Sequence, residues 1–278
     1  MIKWPVFWPF LFNTKSFCYK RKIMKPKTYI ITGAGSGIGA AISLQLANKN
    51  NVLILHTKQN KAGLTDIAKA CETQGATVYC QFGDLANADT IQAIKATLST
   101  STKHLNGLIC NAGFPDWRDF NDLDQQGLLE SYQVIAQASF NLLTQATPWL
   151  LKAKEETGQA GKVIAVSSFL AHKYIVGTSI VPASSMAKAA LEALIKSYAA
   201  QYASQGITAN IIVPGYIKKN SPDHQPLSEQ SLQSILNRIP AARLGKPNEV
   251  ADLCQFLLSD KAQYITGQLI HIDGGLLL

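Results

Sequence analysis

In the stretch PASSMAKAAL, residues 182–191, Ser184 and Lys188 stand one helical turn apart and share a face if the segment is a helix. An ammonium beside a hydroxyl favours loss of the hydroxyl proton. An aliphatic hydroxyl is nonetheless so weak an acid that Ser184 suits hydrogen-bond donation, or relay of a proton to water, better than acid catalysis. A second stretch, TGAGSGIGAAI from Thr32, sets Gly33, Gly37 and Gly39 after an apolar β-branched run and ahead of a helical pattern. Glycines at such a turn let the backbone approach a pyrophosphate, and the helix N-terminus supplies unpaired N–H groups and a positive dipole. Alone, the glycine turn is equally compatible with a tight turn that binds nothing; its place in a longer series decides its weight.

That series is regular. The runs TYIIT, NVLILH, ATVYCQF, LNGLICNAG, GKVIAVSS, ITANIIVPG and QLIHIDGG alternate with helix-length segments, and they are apolar on both faces. Strands covered by helices on each side have that composition, so the pattern predicts an α/β fold: a doubly wound, seven-stranded parallel sheet in one domain from residue 28 to 278. No repeat, linker or low-complexity stretch divides it. Ligands of such sheets lie beyond the carboxyl ends of the strands, which makes the polar connection of residues 216–240 a candidate lid.

From residue 28 onward the chain resembles the short-chain dehydrogenase/reductase family. The matching pieces are TGAGSGIG, CNAG (Cys110–Gly113), VPG (Val213–Gly215) and the closing RIPAARLGKPNEVADLCQFLLSD with YITGQLIHIDGG. The resemblance implies a Rossmann-type fold, a nicotinamide dinucleotide, hydride transfer to or from a carbonyl, alcohol or enoyl-type small molecule, and a homo-oligomer, usually a tetramer. It implies that Gly33, Ser36, Gly37, Ile38 and Gly39 line the pyrophosphate, Asp84 and Leu85 the adenine, and Asn111, Ala112 and Gly113 the sugar. Pro214 and Gly215 would flank the nicotinamide. Asn111 has a second reading, as a brace of the central strand. An acid at the end of the second strand would bind the ribose of NAD(H), but His56, Thr57 and Lys58 stand there instead. NADP(H) is therefore favoured over NAD(H), with Lys58 meeting the extra phosphate; the alternative is a solvated loop lysine.

The family's usual catalytic set is Asn, Ser, Tyr and Lys, with the tyrosine four residues before the lysine. Ser168 and Lys188 match it, Ser184 stands in the tyrosine place, and the asparagine place falls near Ile135 or Ala136. The enoyl-reductase spacing, with tyrosine seven residues before lysine, lands on Val181 and is excluded. Dienoyl-CoA reductases resemble this arrangement more, having a serine four before the lysine and a tyrosine farther upstream; Tyr174, 14 residues before Lys188, is the candidate. The expected site is then Lys188 on the cofactor ribose, Ser168 and Ser184 on the substrate oxygen, and Tyr174 or a water as the acid. The alternative is a catalytically degenerate dinucleotide-binding protein that acts through its ligand or its oligomer partners.

The formal charge of +8 points to an anionic macromolecular partner only until its location is read. Residues 1–27 hold Lys3, Lys15, Lys20, Arg21, Lys22, Lys25 and Lys27 with no acid, leaving +1 for the rest. Nucleic acid is excluded as the main partner of the body. The five cysteines are scattered, without a CxxC pair or a histidine cluster, which fits a reducing cytoplasm and no metal site. No apolar run reaches 18 residues, so no integral membrane segment is expected. The aromatic, proline-broken and then basic N-terminus reads as an extension or disordered tail ahead of a start at Met24. A membrane-surface anchor is the competing reading.

Overall fold

The computed structural model describes residues 26–174, 180–218 and 228–278. Strand β1 (Thr28–Thr32) feeds helix α1 (Gly37–Leu46), and the alternation continues through β2 (Val52–Thr57), α2 (Lys61–Thr73), β3 (Thr77–Phe82), α3 (Ala88–Ser101) and β4 (Gly107–Cys110). Helices α4 (Gln125–Tyr132) and α5 (Ala138–Thr157) meet through a π-helical turn at Gln133–Gln137. Then follow β5 (Lys162–Val166), α6 (Pro182–Tyr202), β6 (Thr208–Pro214), α7 (Glu229–Leu236), α8 (Pro247–Leu258) and β7 (Leu269–Ile272). All seven sequence-predicted strands form, in one parallel sheet ordered β3-β2-β1-β4-β5-β6-β7.

Strand alternation builds two cores from one sheet. On β1, Ile30 packs with Leu98, Leu142, Leu150 and Ile195 from α3, α5 and α6. Its neighbour Ile31 points the other way, to Leu46, Leu64, Val250 and Leu257 from α1, α2 and α8. Strands β1, β4, β5 and β6 are buried throughout, as continuous apolar runs require. The two edges differ: β3 and β7 are only partly covered, and Tyr79 and Phe82 of β3 are exposed.

The order reverses direction between β1 and β4, and the two chain exits diverge there. Such a switch point leaves a crevice at the carboxyl ends of the strands. The turn after β1, the turn after β4 and the segments after β5 and β6 all open onto it. Of the predicted lid, residues 219–227 lie outside the described residues, while α7 stands over the crevice.

Candidate active site

The glycine turn is built for close approach. A Cβ on Gly39 would sit 2.1 Å from the Gly33 carbonyl oxygen, so helix and strand can meet only with glycine there. Gly37, at φ +56°, has open space where its Cβ would point. Ser36 precedes α1 without a side-chain hydrogen bond to the helix, so the first-turn N–H groups are left facing that space. An anionic diphosphate fits this cradle on both steric and dipolar grounds.

Asn111 joins that turn to β4. Its Nδ2 donates to the carbonyls of Thr32 (2.9 Å) and Gly33 (3.1 Å), while the Asn111 and Ala112 N–H groups donate to Thr32 Oγ1. The bracing reading of this asparagine is therefore realised, and the residue also faces the crevice.

Helix α6 carries three polar side chains on one face, at Ser184, Lys188 and Glu192, because residues four apart stack along a helix. Lys188 Nζ donates to the Val166 carbonyl at 2.6 Å. Burial pulls its ammonium pKa down to about 8, against the upward pull of Cys110 and Glu192. Ile135 of the π-helical turn packs beside it: a Cβ on Gly113 would touch both Lys188 Nζ (3.2 Å) and Ile135 Cγ1 (3.3 Å). An apolar group thus fills the place expected for an asparagine, and the Ile135 carbonyl is taken by the Ser139 hydroxyl at 2.7 Å.

Ser184 is buried. Its Oγ accepts the Asp116 N–H at 3.2 Å and lies 3.5 Å from the Val181 carbonyl, to which it donates. Asp116 is in turn locked by Arg118, whose guanidinium holds the carboxyl below its ordinary range. Ser168 caps the short helical turn Phe169–Ala171, accepting the Leu170 N–H at 3.2 Å. The residues on either side of Ser168 are anchored to Glu192, which accepts from the Ser167 hydroxyl and lies 2.9 Å from His172 Nε2. Nothing in the sequence pairs Glu192 with this loop; only the crossing of α6 behind β5 brings them together.

These elements enclose one cavity of about 880 Å³. Into it the fold brings Gly33, Ser36, Gly37, Ile38, Asn111, Ala112, Gly113, Ser168, Tyr174, Ser184, Lys188, Pro214 and Gly215, all expected from sequence. Gly39 lies behind the turn. Lys58, Asp84 and Leu85 lie outside the cavity wall, where Lys58 forms an ion pair with Asp84 and Leu85 is buried in the core. Burial would raise the Asp84 carboxyl, but Lys58 and the Ala86 N–H hold it below the ordinary range. Tyr174 is 67% exposed. The sequence reading missed Tyr216, Arg238 and Trp117, which also line the cavity. Tyr216 had a signal, since it follows Pro214–Gly215 at the end of β6. Trp117 had none, and Arg238 had only its place in the 216–240 connection expected to act as a lid.

Fold and site together define a Rossmann-type dinucleotide-binding oxidoreductase. The comparisons agree. A family model described as enoyl-(acyl carrier protein) reductase matches residues 33–277. The 3-oxoacyl-[acyl-carrier-protein] reductase FabG of Staphylococcus aureus is 30% identical, over 90% of this chain and 98% of its own. An uncharacterized oxidoreductase of Bacillus subtilis, YmfI, is also 30% identical with the same coverage. Among solved structures, the NADPH-dependent reductase YwfH, involved in bacilysin biosynthesis, superposes with a TM-score of 0.80 at 25% identity, covering 91% of this chain and 99% of that one. The L-sorbose reductase of Gluconobacter frateurii, solved with NADPH and L-sorbose, gives 0.81 at 25% identity, covering 91% and 97%. The chain belongs to the short-chain dehydrogenase/reductase family, whose members are NAD(P)(H)-dependent oxidoreductases.

Proposed function

We propose that this chain is an NADP(H)-dependent oxidoreductase acting on a carbonyl, alcohol or enoyl-type small molecule with an atypical catalytic set. The observation that carries this reading is the convergence of Ser168, Ser184 and Lys188 with the Asn111–Gly113 and Pro214–Gly215 turns on one cavity. The glycine turn would hold the dinucleotide, which when bound would supply the hydride. Lys188 would orient its ribose, and Ser168 and Ser184 would hold the substrate oxygen. Tyr198, the buried phenol of α6, bonds Thr147 at 2.7 Å and is not part of the cavity wall, so the tyrosine place is assigned to Ser184. The proton then comes from Tyr174, which lines the mouth, or from water in the cavity.

The test is NADPH oxidation with a panel of carbonyl and enoyl-thioester substrates, with binding of both dinucleotides measured alongside. Turnover supports this reading. Tight NADPH binding without turnover would favour the degenerate alternative. One observation speaks for that alternative: the Ser184 hydroxyl is engaged by backbone groups, and Ile135 replaces a polar neighbour of Lys188.

The choice of NADP(H) rests on the end of β2, where no acid opposes a 2′-phosphate and Lys58 stands exposed against Asp84. A phosphate would compete with that carboxylate for Lys58. Lys58→Glu is expected to weaken NADPH by roughly 1–3 kcal/mol more than NADH, as for loss of a charge-assisted hydrogen bond. Equal losses, measured by titration of both dinucleotides, would remove Lys58 from phosphate recognition.

We assign residues 28–278 to one Rossmann-type domain, with residues 1–27 as an extension that the strand-to-strand alternation does not require. Among the described residues no helix is long and apolar enough to cross a membrane. The scattered cysteines, without a CxxC pair, suit a reducing cytoplasm. Exposed Leu129, Tyr132 and Phe140 on α4 and α5 suit a contact with a second copy, in a dimer or tetramer. Deleting residues 1–23 is expected to leave NADPH affinity and melting temperature within error. A fall of more than about 5 °C, of order 1–2 kcal/mol for a chain this size, would show that the extension packs on the domain.

A further inference from the structure

The cavity wall is cationic at several points. Lys173, Lys188, Lys218 and Arg238 line it, and no aspartate or glutamate does among the described residues. Two of these cations are satisfied internally: Lys173 donates to the Leu276 carbonyl and Lys188 to that of Val166, each at 2.6 Å. Arg238 is different. The other two described arginines are each paired with a carboxylate at 2.6 Å, Arg118 with Asp116 and Arg243 with Glu249. Arg238, half-buried on the cavity wall, has no carboxylate partner among the described residues.

Its position is set by a firm backbone. Arg238 follows α7, its N–H bonding the Ile235 carbonyl, and the next residue, Ile239, is buried. Burial raises the pKa of the Tyr216 phenol, and the Arg238 guanidinium lies close enough to offset part of that rise. Tyr216 packs on Phe169 with ring centroids 4.6 Å apart, and Phe169 adjoins Ser168. Arg238 therefore belongs to the Ser168 side of the cavity, away from the glycine turn. Phe114, Trp117, Leu170 and Ile235 supply apolar lining to the same cavity.

A planar fork of N–H donors with no carboxylate partner among the described residues, in a partly desolvated wall, matches an oxyanion brought by the ligand. We propose that this cavity selects a carbonyl substrate with an apolar body and a terminal oxyanion, carboxylate or phosphate, which Arg238 binds while the carbonyl faces Ser168 and Lys188. This rests on the cavity being the hydride-transfer site.

The test uses the full chain with NADPH and matched substrates: an aryl keto acid and its methyl ester, and a keto alcohol and its phosphate monoester. The charged member of at least one pair should have the higher kcat/KM by about tenfold or more, and the favoured pair identifies the oxyanion. R238L should lower that charged-to-neutral ratio by about 10–100-fold, and R238K should recover part of it. NADPH affinity, which reads the distant glycine turn, checks that the variants are folded. Equal kcat/KM within both pairs of the wild type, or an unchanged ratio in R238L, overturns the proposal. If no substrate is turned over, the hydride-transfer reading fails separately, and the same ratio is read as affinity for the NADPH complex by fluorescence. A charged-ligand preference lost in R238L then still supports anion recognition by Arg238; equal affinities overturn it.

Discussion

Ser184→Tyr is expected to raise carbonyl turnover by about 10²–10⁴, the usual contribution of a positioned general acid. Position 184 is on the cavity wall, four residues before Lys188, so a phenol there would extend into open volume within reach of the buried ammonium. A cation at that distance lowers a phenol's pKa from near 10 toward neutrality, which the serine hydroxyl cannot match. The substitution removes the acceptor of the Asp116 N–H, a loss of roughly 1 kcal/mol or more in stability. Single-turnover rates with NADPH and a ketone would separate the gain in chemistry from any change in binding. If protonation instead comes from Tyr174, as in a dienoyl-thioester reductase, the new phenol crowds the pocket and turnover falls, and Tyr174→Phe is the change that lowers the wild-type rate. The two assignments predict opposite signs for one substitution.

Lys188→Met should reduce kcat/KM by about 10²–10³, comparable to removing one preorganised donor from an active site. It should also make the protein more stable at neutral pH. The folded-state pKa of Lys188, about 8, lies below its ordinary 10.5 because burial disfavours the charged form. Below pH 8 both folded and unfolded chains carry the proton, and the burial penalty is fully present. Between about pH 8 and 10.5 the unfolded chain binds more proton than the folded one, so wild-type stability gains from this group as pH rises. Methionine removes the penalty and forfeits the bond to the Val166 carbonyl, for a net gain of roughly 1 kcal/mol at pH 7. The full shift is discounted because the cavity admits water to the side chain. Denaturant unfolding at pH 7 and pH 10 tests it: the variant's advantage should shrink at the higher pH. A less stable variant at pH 7, or loss of no activity, would contradict the placement of Lys188 as a buried, cofactor-facing cation.

Much of this protein is determined locally and is therefore readable from the chain alone. Buried parallel strands need unbroken β-branched runs, so TYIIT through QLIHIDGG mark the sheet. A helix four-residue repeat puts Ser184 and Lys188 on one face whatever surrounds them. The steric demand behind Gly39 comes from the meeting of β1 and α1, adjacent in sequence. What the sequence could not determine are the contacts that cross the fold. Ser184 is engaged by the Asp116 N–H from a loop 68 residues earlier. Lys58, read as a free phosphate ligand, meets Asp84 because β2 and β3 end side by side. Glu192 steadies the Ser168 loop only because α6 packs behind β5, and Arg238 becomes a wall of the cavity only once α7 folds over the strand ends. Local spacing encodes which groups share an element; whether a group is paired, buried or left facing a ligand depends on neighbours that only the tertiary packing supplies.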